Sequence, residues 1–361
     1  MQTNNSSNGS LLEKYPRLIK NWKSISLIII ASGLAIIWLI LEISYSWDIF
    51  VIRFGRSVID GLAFSMLLFL MVSGFFLIFG LCDVINFAHG AFFMLGGFIG
   101  FEIYLLIESI LYPLLGTNLF IMSLIAFLGA CLLSAVILAL IGGGIEYFTI
   151  RRLYGQAIAQ ILLTVGFMFI INEFAKLVWG TPIQTYFIES SSPSKYFFLS
   201  GTINLGTGLV FDNYRIILII IGLLIALLMF LTLKKTRIGY QIQAGIEDSE
   251  MVEALGINVK RLFTLTFMAG AALAGLAGTV LVPWLGANSG HGTNYLVFAF
   301  VIVVVGGAHY GRLEGTFFGS LIIGLSIKFC EYFFPDISSI IAFLIMAIVL
   351  VFKPGGLTGE D

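Results

Sequence analysis

Charge is scarce in this chain of 361 residues: Asp, Glu, Lys and Arg together make up 11% of it, where an ordinary soluble domain carries about 25%. Histidine and cysteine are scarcer still, at three each, which leaves few groups for acid–base chemistry or metal ligation. Cys82, Cys131 and Cys330 stand far apart inside apolar runs and form no CxxC pair. They read as small hydrophobes, with no disulfide framework. The chain has no GxxxxGK[ST] loop and no Gly-Lys dipeptide, so it is not itself an ATPase of that class. HExxH and a Ser/His/Asp arrangement are missing too. A net charge of −1 offers no footprint for nucleic acid. The expectation is therefore no enzyme, no cofactor, no metal and no nucleic-acid partner.

What is present is apolar. Hydrophobic residues account for 59% of the chain, with 40 glycines beside them. The sum is well above the roughly 45–50% apolar share of a soluble domain. Such a chain needs the lipid bilayer as part of its solvent, so the expected fold class is all-α: a polytopic transmembrane helical bundle. Residues 1–26 are polar and carry Lys14, Arg17, Lys20 and Lys23, which makes them a cytoplasmic tail. The membrane domain then covers 27–357. Its first span, Ile25–Trp47, is too long for a signal-peptide core. Further apolar runs lie near 58–81, 90–112, 119–145, 157–179, 214–233, 262–285, 295–308, 314–333 and 338–352, giving about ten membrane segments. Those at 295–308 and 338–352 fall short of the roughly 20 residues of a full span, and predict broken, tilted or re-entrant helices.

Lys and Arg set the orientation. With both termini inside, thirteen of the nineteen basic residues lie on the cytoplasmic side, among them Arg151, Arg152, Lys234, Lys235, Arg237, Lys260 and Arg261. Six lie outside or near outer helix ends: Arg53, Arg56, Lys176, Lys195, Arg215 and Lys328. Two loops are long. The outer one, about 181–213, contains β-prone pieces at Tyr196–Leu199 and Leu209–Phe211 and predicts a hairpin. The inner one, about 234–261, contains a short amphipathic helix at Asp248–Leu255, capped by Asp248 or Ser249 and stopped by Gly256. Met251, Val252 and Leu255 would share its apolar face, with Glu250 and Glu253 towards water.

Several features carry chemistry. Asp83, Asn86 and His89 stand between two long apolar runs, and Gly90 with Gly96-Gly97 follows. Polar groups at membrane depth are costly and mark function by default, so a broken helix is set here against an ordinary short loop. Gly270, Ala274 and Gly278 fall four apart, as do Gly311, Gly315 and Gly319. That spacing lets helix backbones approach closely in lipid. Gly90-Ala-Phe-Phe and Gly315-Thr-Phe-Phe both open a Gly-rich apolar helix and echo each other as an internal repeat would. Among charges inside spans, Glu173/Lys176 and Lys328/Glu331 sit at i, i+3 and read as neutralising pairs; Glu102, Glu108 and Glu146 read as snorkelling or paired.

The segment Val84-Ile85-Asn86-Phe87-Ala88-His89-Gly90, with Phe92 and Met94-Leu95-Gly96, resembles the signature of branched-chain amino-acid ABC transporter permeases, in the wording of the shorter permease type. The resemblance continues through Arg151-Arg152-Leu153-Tyr154-Gly155, Leu163-Thr164-Val165-Gly166 and Glu173 with Trp179-Gly180. Thr236-Arg237-Ile238-Gly239, Glu253-Ala254-Leu255-Gly256-Ile257-Asn258, Ala269–Gly278, Phe300–Gly307 and Phe352-Lys353-Pro354-Gly355-Gly356-Leu357 complete it, over roughly 58–357. Ala91 departs from the acidic residue common after that glycine. Urea and short-chain amide permeases share the scaffold, and an ion-coupled secondary transporter is the alternative from another class. The resemblance implies a second permease subunit, two ATP-binding subunits and an extracytoplasmic substrate-binding protein. It makes the 234–261 loop the ATPase-coupling element, through Glu250, Met251, Val252, Glu253, Ala254, Leu255 and Gly256. Asp83, Asn86, His89 and Gly90 would belong to the substrate path.

The basic-residue bias generates a topological test. An introduced Ser249→Cys should resist an impermeant thiol reagent applied to intact cells; efficient labelling from outside reverses the orientation.

Overall fold

In lipid every backbone N–H and C=O needs a partner within the chain, and apolar helices meet that demand locally. The computed structural model describes residues 47–82, 84–115, 119–185, 201–204, 208–307 and 313–358. The polar tail 1–26 and the apolar run up to residue 46 lie outside the described residues, as do Asp83, Gly311 and Tyr196–Leu199. The chain divides into a unit of residues 1–53, described only from residue 47, and a unit of residues 54–361 that holds the bundle.

Eleven α-helices follow one another among the described residues. They are α1 (Trp47–Cys82), α2 (Ala88–Leu115), α3 (Leu119–Phe148), α4 (Ala157–Trp179), α5 (Asn213–Lys235), α6 (Arg237–Glu247), α7 (Ser249–Ala254), α8 (Val259–Leu285), α9 (His291–Gly306), α10 (Leu313–Phe333) and α11 (Ile341–Phe352). Seven of them are long and apolar enough to cross a membrane, and α9 and α11 are shorter apolar helices. These nine coincide with nine of the ten apolar runs in the sequence, the two short ones included. The fold class is all-α and polytopic.

The strand piece near Leu209–Phe211 becomes β2 (Val210–Asp212). Its antiparallel partner is β1 (Thr202–Asn204), in the register Thr202↔Asp212. Nearby, Gln184 and Ala287 exchange backbone hydrogen bonds of 2.9 and 2.8 Å.

The centre of the bundle is α8, packed against α2 and α3, which also pack against each other. Small residues make this possible. A methyl group placed on Gly278 would fall 1.8 Å from the Phe93 carbonyl oxygen, and one on Gly270 would fall 2.6 Å from that of Gly74. Ala274, between them, is fully buried. Elsewhere Gly315 meets the Gly306 carbonyl and Gly319 lies over Ile302. Hydroxyls add cross-links, with Thr279 Oγ1 donating to the Gly96 carbonyl at 2.9 Å and Ser65 Oγ to that of Leu321 at 3.3 Å. By contrast, α4 and α5 turn Leu162, Phe169, Leu177, Ile220 and Leu224 outward, as lipid-facing helices do.

Gly278→Ala should therefore lower the thermal stability of the detergent-solubilised protein. Gly144→Ala, at a helical position with nothing within 4 Å, should leave it equal or up to about 1 kcal/mol higher through helix propensity. Equal behaviour of the two variants would remove the close-approach argument.

Candidate functional site

The polar segment after α1 folds back into the bundle. Cys82 ends α1 beside Phe263, near the start of α8. His89 Nε2 nevertheless lies 2.9 Å from the carbonyl of Met71, eleven residues (82 − 71) before that end. Eleven helical residues rise about 16 Å, so α2 begins inside the bundle, not at its end. A helix that starts there must satisfy its first N–H groups without water. Asn86 does so: its Oδ1 accepts from Ala88 N–H at 3.1 Å and its carbonyl from His89 N–H at 3.1 Å. Thr164 of α4 donates to the Ile85 carbonyl at 3.3 Å and holds the link in place. Asn86 and His89 are fully buried, and a methyl group on Gly90 would fall 2.1 Å from the Gly292 carbonyl oxygen. The structure thus brings Asn86, His89 and Gly90 together with α9. Asn86 Nδ2 and His89 Nδ1 have no hydrogen-bond partner among the described residues.

A second cluster sits where α3 ends. Glu146 is fully buried and works as a hub. Arg151 Nε donates to Oε1 at 3.2 Å and Arg151 Nη2 to Oε2 at 3.3 Å. Tyr154 OH donates to Oε1 at 3.0 Å, and Thr264 Oγ1 of α8 to Oε2 at 2.7 Å. Arg151 also reaches the Lys260 carbonyl at 3.2 Å and covers the Tyr147 ring. Burial, then the neighbouring Cys82 and Glu146, pushes the Tyr154 phenol above its ordinary value, so it stays a proton donor. The motif residues Arg151 and Tyr154 thereby acquire one shared task. The carboxylate was visible in the sequence as a charge in a span; its partner Thr264, 118 residues away, had no local signal.

The loop from Lys234 to Arg261 is built of two helices. Thr236 caps α6 by accepting from Gly239 N–H at 3.1 Å, and Ile238 and Tyr240 are exposed on it. Asp248 begins α7, its Oδ1 accepting from Met251 N–H at 2.9 Å. At the other end Ile257 N–H bonds the Val252 carbonyl and Gly256 N–H that of Glu253. This is a Schellman closure, and it places Gly256 at φ +83°. Asn258 then caps α8 through Arg261 N–H.

The expected apolar face of α7 is corrected in one respect. Met251 and Leu255, at i and i+4, are 58% and 73% exposed, whereas Val252 is only 2% exposed. A residue one position on lies about 100° round a helix, and Val252 turns inward where α7 packs on α6 and α8. Glu253, Ala254 and Gly256 are exposed, and Glu250 lies in the first turn of α7. The surface open to a partner is Met251 and Leu255, together with Ile238 and Tyr240 of α6.

Several charges at the end of the bundle opposite this loop are also paired. Arg215 Nε bonds Asp60 Oδ1 at 2.5 Å, and Tyr332 OH bonds Asp60 Oδ2 at 2.7 Å. Lys176–Glu173 and Lys328–Glu331 form ion pairs of 2.6 Å each. Trp179 Nε1 donates to Glu102 at 3.0 Å.

The family model described as branched-chain amino acid transport system / permease component matches residues 57–350. The high-affinity branched-chain amino acid transport system permease protein BraD of Pseudomonas aeruginosa is 27% identical over 308 residues, covering 84% of this chain and 95% of the relative. The permease protein LivH of Escherichia coli K12 is 25% identical over 313 residues, covering 85% and 96%. The ribose import permease protein RbsC of the same organism is 27% identical over 212 residues, covering 56% and 59%. No solved structure matches.

The split face of α7 generates a contrast. Val252→Asp would bury a carboxyl without a partner and should lower the stability of the chain by about 2 kcal/mol or more. Leu255→Asp, on the exposed face, should leave the melting of the purified chain unchanged. Equal loss in both would mean that Leu255 also packs within the chain.

Proposed function

Because the chain belongs to the branched-chain amino acid transport system / permease component family, we propose that it is a permease subunit of an ABC importer in the cytoplasmic membrane, moving branched-chain or other hydrophobic amino acids. The observation that carries this reading is the near-complete coverage of the amino-acid permeases BraD and LivH, against partial coverage of the ribose permease. The chain lacks a phosphate loop of its own, so ATP energy comes from separate ATPase subunits. An extracytoplasmic binding protein delivers substrate, and a second permease completes the path.

The end bearing Arg151, Lys234 and Lys260 is cytoplasmic. There α6 and α7 offer Ile238, Tyr240, Met251 and Leu255 to the ATPase, a helix-in-groove mode resting on a few apolar anchors. Gly256 fixes the exit of α7, and Asn258 starts α8 two residues later. A push on α7 is therefore handed directly to the central helix of the bundle. Glu146 ties the same helix to α3 through Thr264 and Arg151. Asn86, His89 and Gly90 support the substrate path at the start of α2, and Asp83 belongs to the same sequence segment. An ion-coupled mechanism is disfavoured because the buried carboxylates Glu146 and Asp60 are committed to Arg151 and Arg215.

The test is reconstitution of the complete complex in proteoliposomes with radiolabelled leucine. Uptake should require ATP and loaded binding protein; uptake driven by a sodium or proton gradient without ATP overturns the reading. Asn86→Leu should abolish uptake in a complex that still assembles, because Ala88 N–H at the start of α2 loses its side-chain acceptor.

A further inference from the structure

The link before α2 has a counterpart before α9. After α1 the chain reads Asn86-Phe-Ala-His89-Gly90, and after α8 it reads Asn288-Ser-Gly-His291-Gly292, so Asn-x-x-His-Gly recurs at a constant offset of 202 residues (288 − 86, 291 − 89, 292 − 90). The local bonding recurs with it. Asn288 Oδ1 accepts from Gly290 N–H at 2.7 Å, and its carbonyl accepts from His291 N–H at 3.1 Å. Asn86 makes the same two bonds to Ala88 and His89.

Equivalent residues also meet each other. Gly90 and Gly292 are each within reach of the other's carbonyl, and the rings of Phe93 and Tyr295 lie 4.9 Å apart; Gly74 of α1 and Gly270 of α8, which do not share that offset, approach each other in the same reciprocal way. The two long helices run in opposite directions, since Cys82 adjoins Phe263 while Phe64 adjoins Trp284. Reciprocal contacts between antiparallel copies are the mark of an inverted repeat, whose axis passes between Gly90 and Gly292. Gly315 does not take part; its partner is Gly306.

The copies differ in exposure. Asn86 and His89 are fully buried, whereas Asn288 and His291 are partly exposed and Thr293 and Asn294 are exposed. This polar turn is not at the end of the bundle. Gly292 lies beside Asn172, seven residues (179 − 172) before α4 ends at Trp179, or about 10 Å below that end. At that depth polar side chains facing lipid are costly. Asn172 is 9% exposed, and its Oδ1, which points at Gly292, has no hydrogen-bond partner among the described residues. This oxygen is a buried acceptor beside the exposed turn, open to a hydrogen-bond donor.

We infer that the 288–294 turn lines the substrate path. The N-terminus of α9 and the side chains of Thr293 and Asn294 receive the α-carboxylate of the amino acid, its α-ammonium donates to Asn172 Oδ1, and the buried copy at 86–90 is the packing counterpart that holds this turn at depth. The helix N-terminus favours an anion, and the Asn and Thr side chains supply hydrogen bonds without a charge. This assignment rests on the amino-acid importer reading for the identity of the ligand, but its location rests on exposure, depth and the unpartnered Asn172 oxygen.

Two measurements on the reconstituted complex test it. In the first, Asn294→Cys should react with an impermeant thiol reagent far faster than Leu224→Cys, a lipid-facing control; the native cysteines are buried. In the second, Asn294→Leu should cut leucine uptake per ATP hydrolysed roughly tenfold, the loss of one hydrogen bond to a charged group. Stimulation of hydrolysis by loaded binding protein should persist, which a folding or docking defect would not allow. Labelling no faster than the control, or wild-type uptake by Asn294→Leu, overturns the assignment. A wild-type complex that imports no branched-chain amino acid refutes the functional reading by itself, while the labelling result still decides whether this turn faces an aqueous path.

Discussion

Close approach of helix backbones at glycine is the constraint on which the bundle depends. Lipid tails are as apolar as leucine, so burying side chains between helices gains little, and association must come from packing and hydrogen bonds. The central helix α8 meets this with Gly270 and Gly278, set against α1 and α2 at distances that no side chain would permit, and with the small Ala274 buried between them. Thr279 on the same helix reaches the Gly96 carbonyl, an interaction open only to helices already in backbone contact.

That closeness also lets α2 and α9 begin inside the layer. A helix start brings unpaired N–H groups, and two Asn-x-x-His-Gly turns cap them with the same pair of hydrogen bonds. Without Gly90 and Gly292 the two starts could not touch, and each polar turn would face lipid. Packing at glycine and polar chemistry at depth are therefore one arrangement seen from two sides.

Charges obey a related rule. Removing one partner of a buried ion pair leaves the other uncompensated, so Glu146 collects Arg151, Tyr154 and Thr264 together. The cluster stands where α3 meets the start of α8, next to the loop that carries α6 and α7. At the far end Asp60 joins Arg215 to Tyr332, and Arg215 stacks on Trp284. Both ends of α8 are thus clamped by ionic groups, while its middle is free of them.

The sequence by itself determined where the membrane helices lie, because an apolar run long enough to span is a local property. It also determined the ends of α7, since Asp248 and Gly256 act on backbone groups within a few residues. The mid-layer polar segment was legible as Asn86 and His89 among apolar neighbours. Only the tertiary structure decided the rest: that this segment folds back beside Met71, that Gly90 faces Gly292, that Val252 turns inward while Leu255 does not, and that Glu146 is completed from α8. Each of these joins residues distant in the chain or depends on which helix face a neighbour covers. Such contacts are selected by the packing of whole helices, and helical periodicity alone does not name the neighbour.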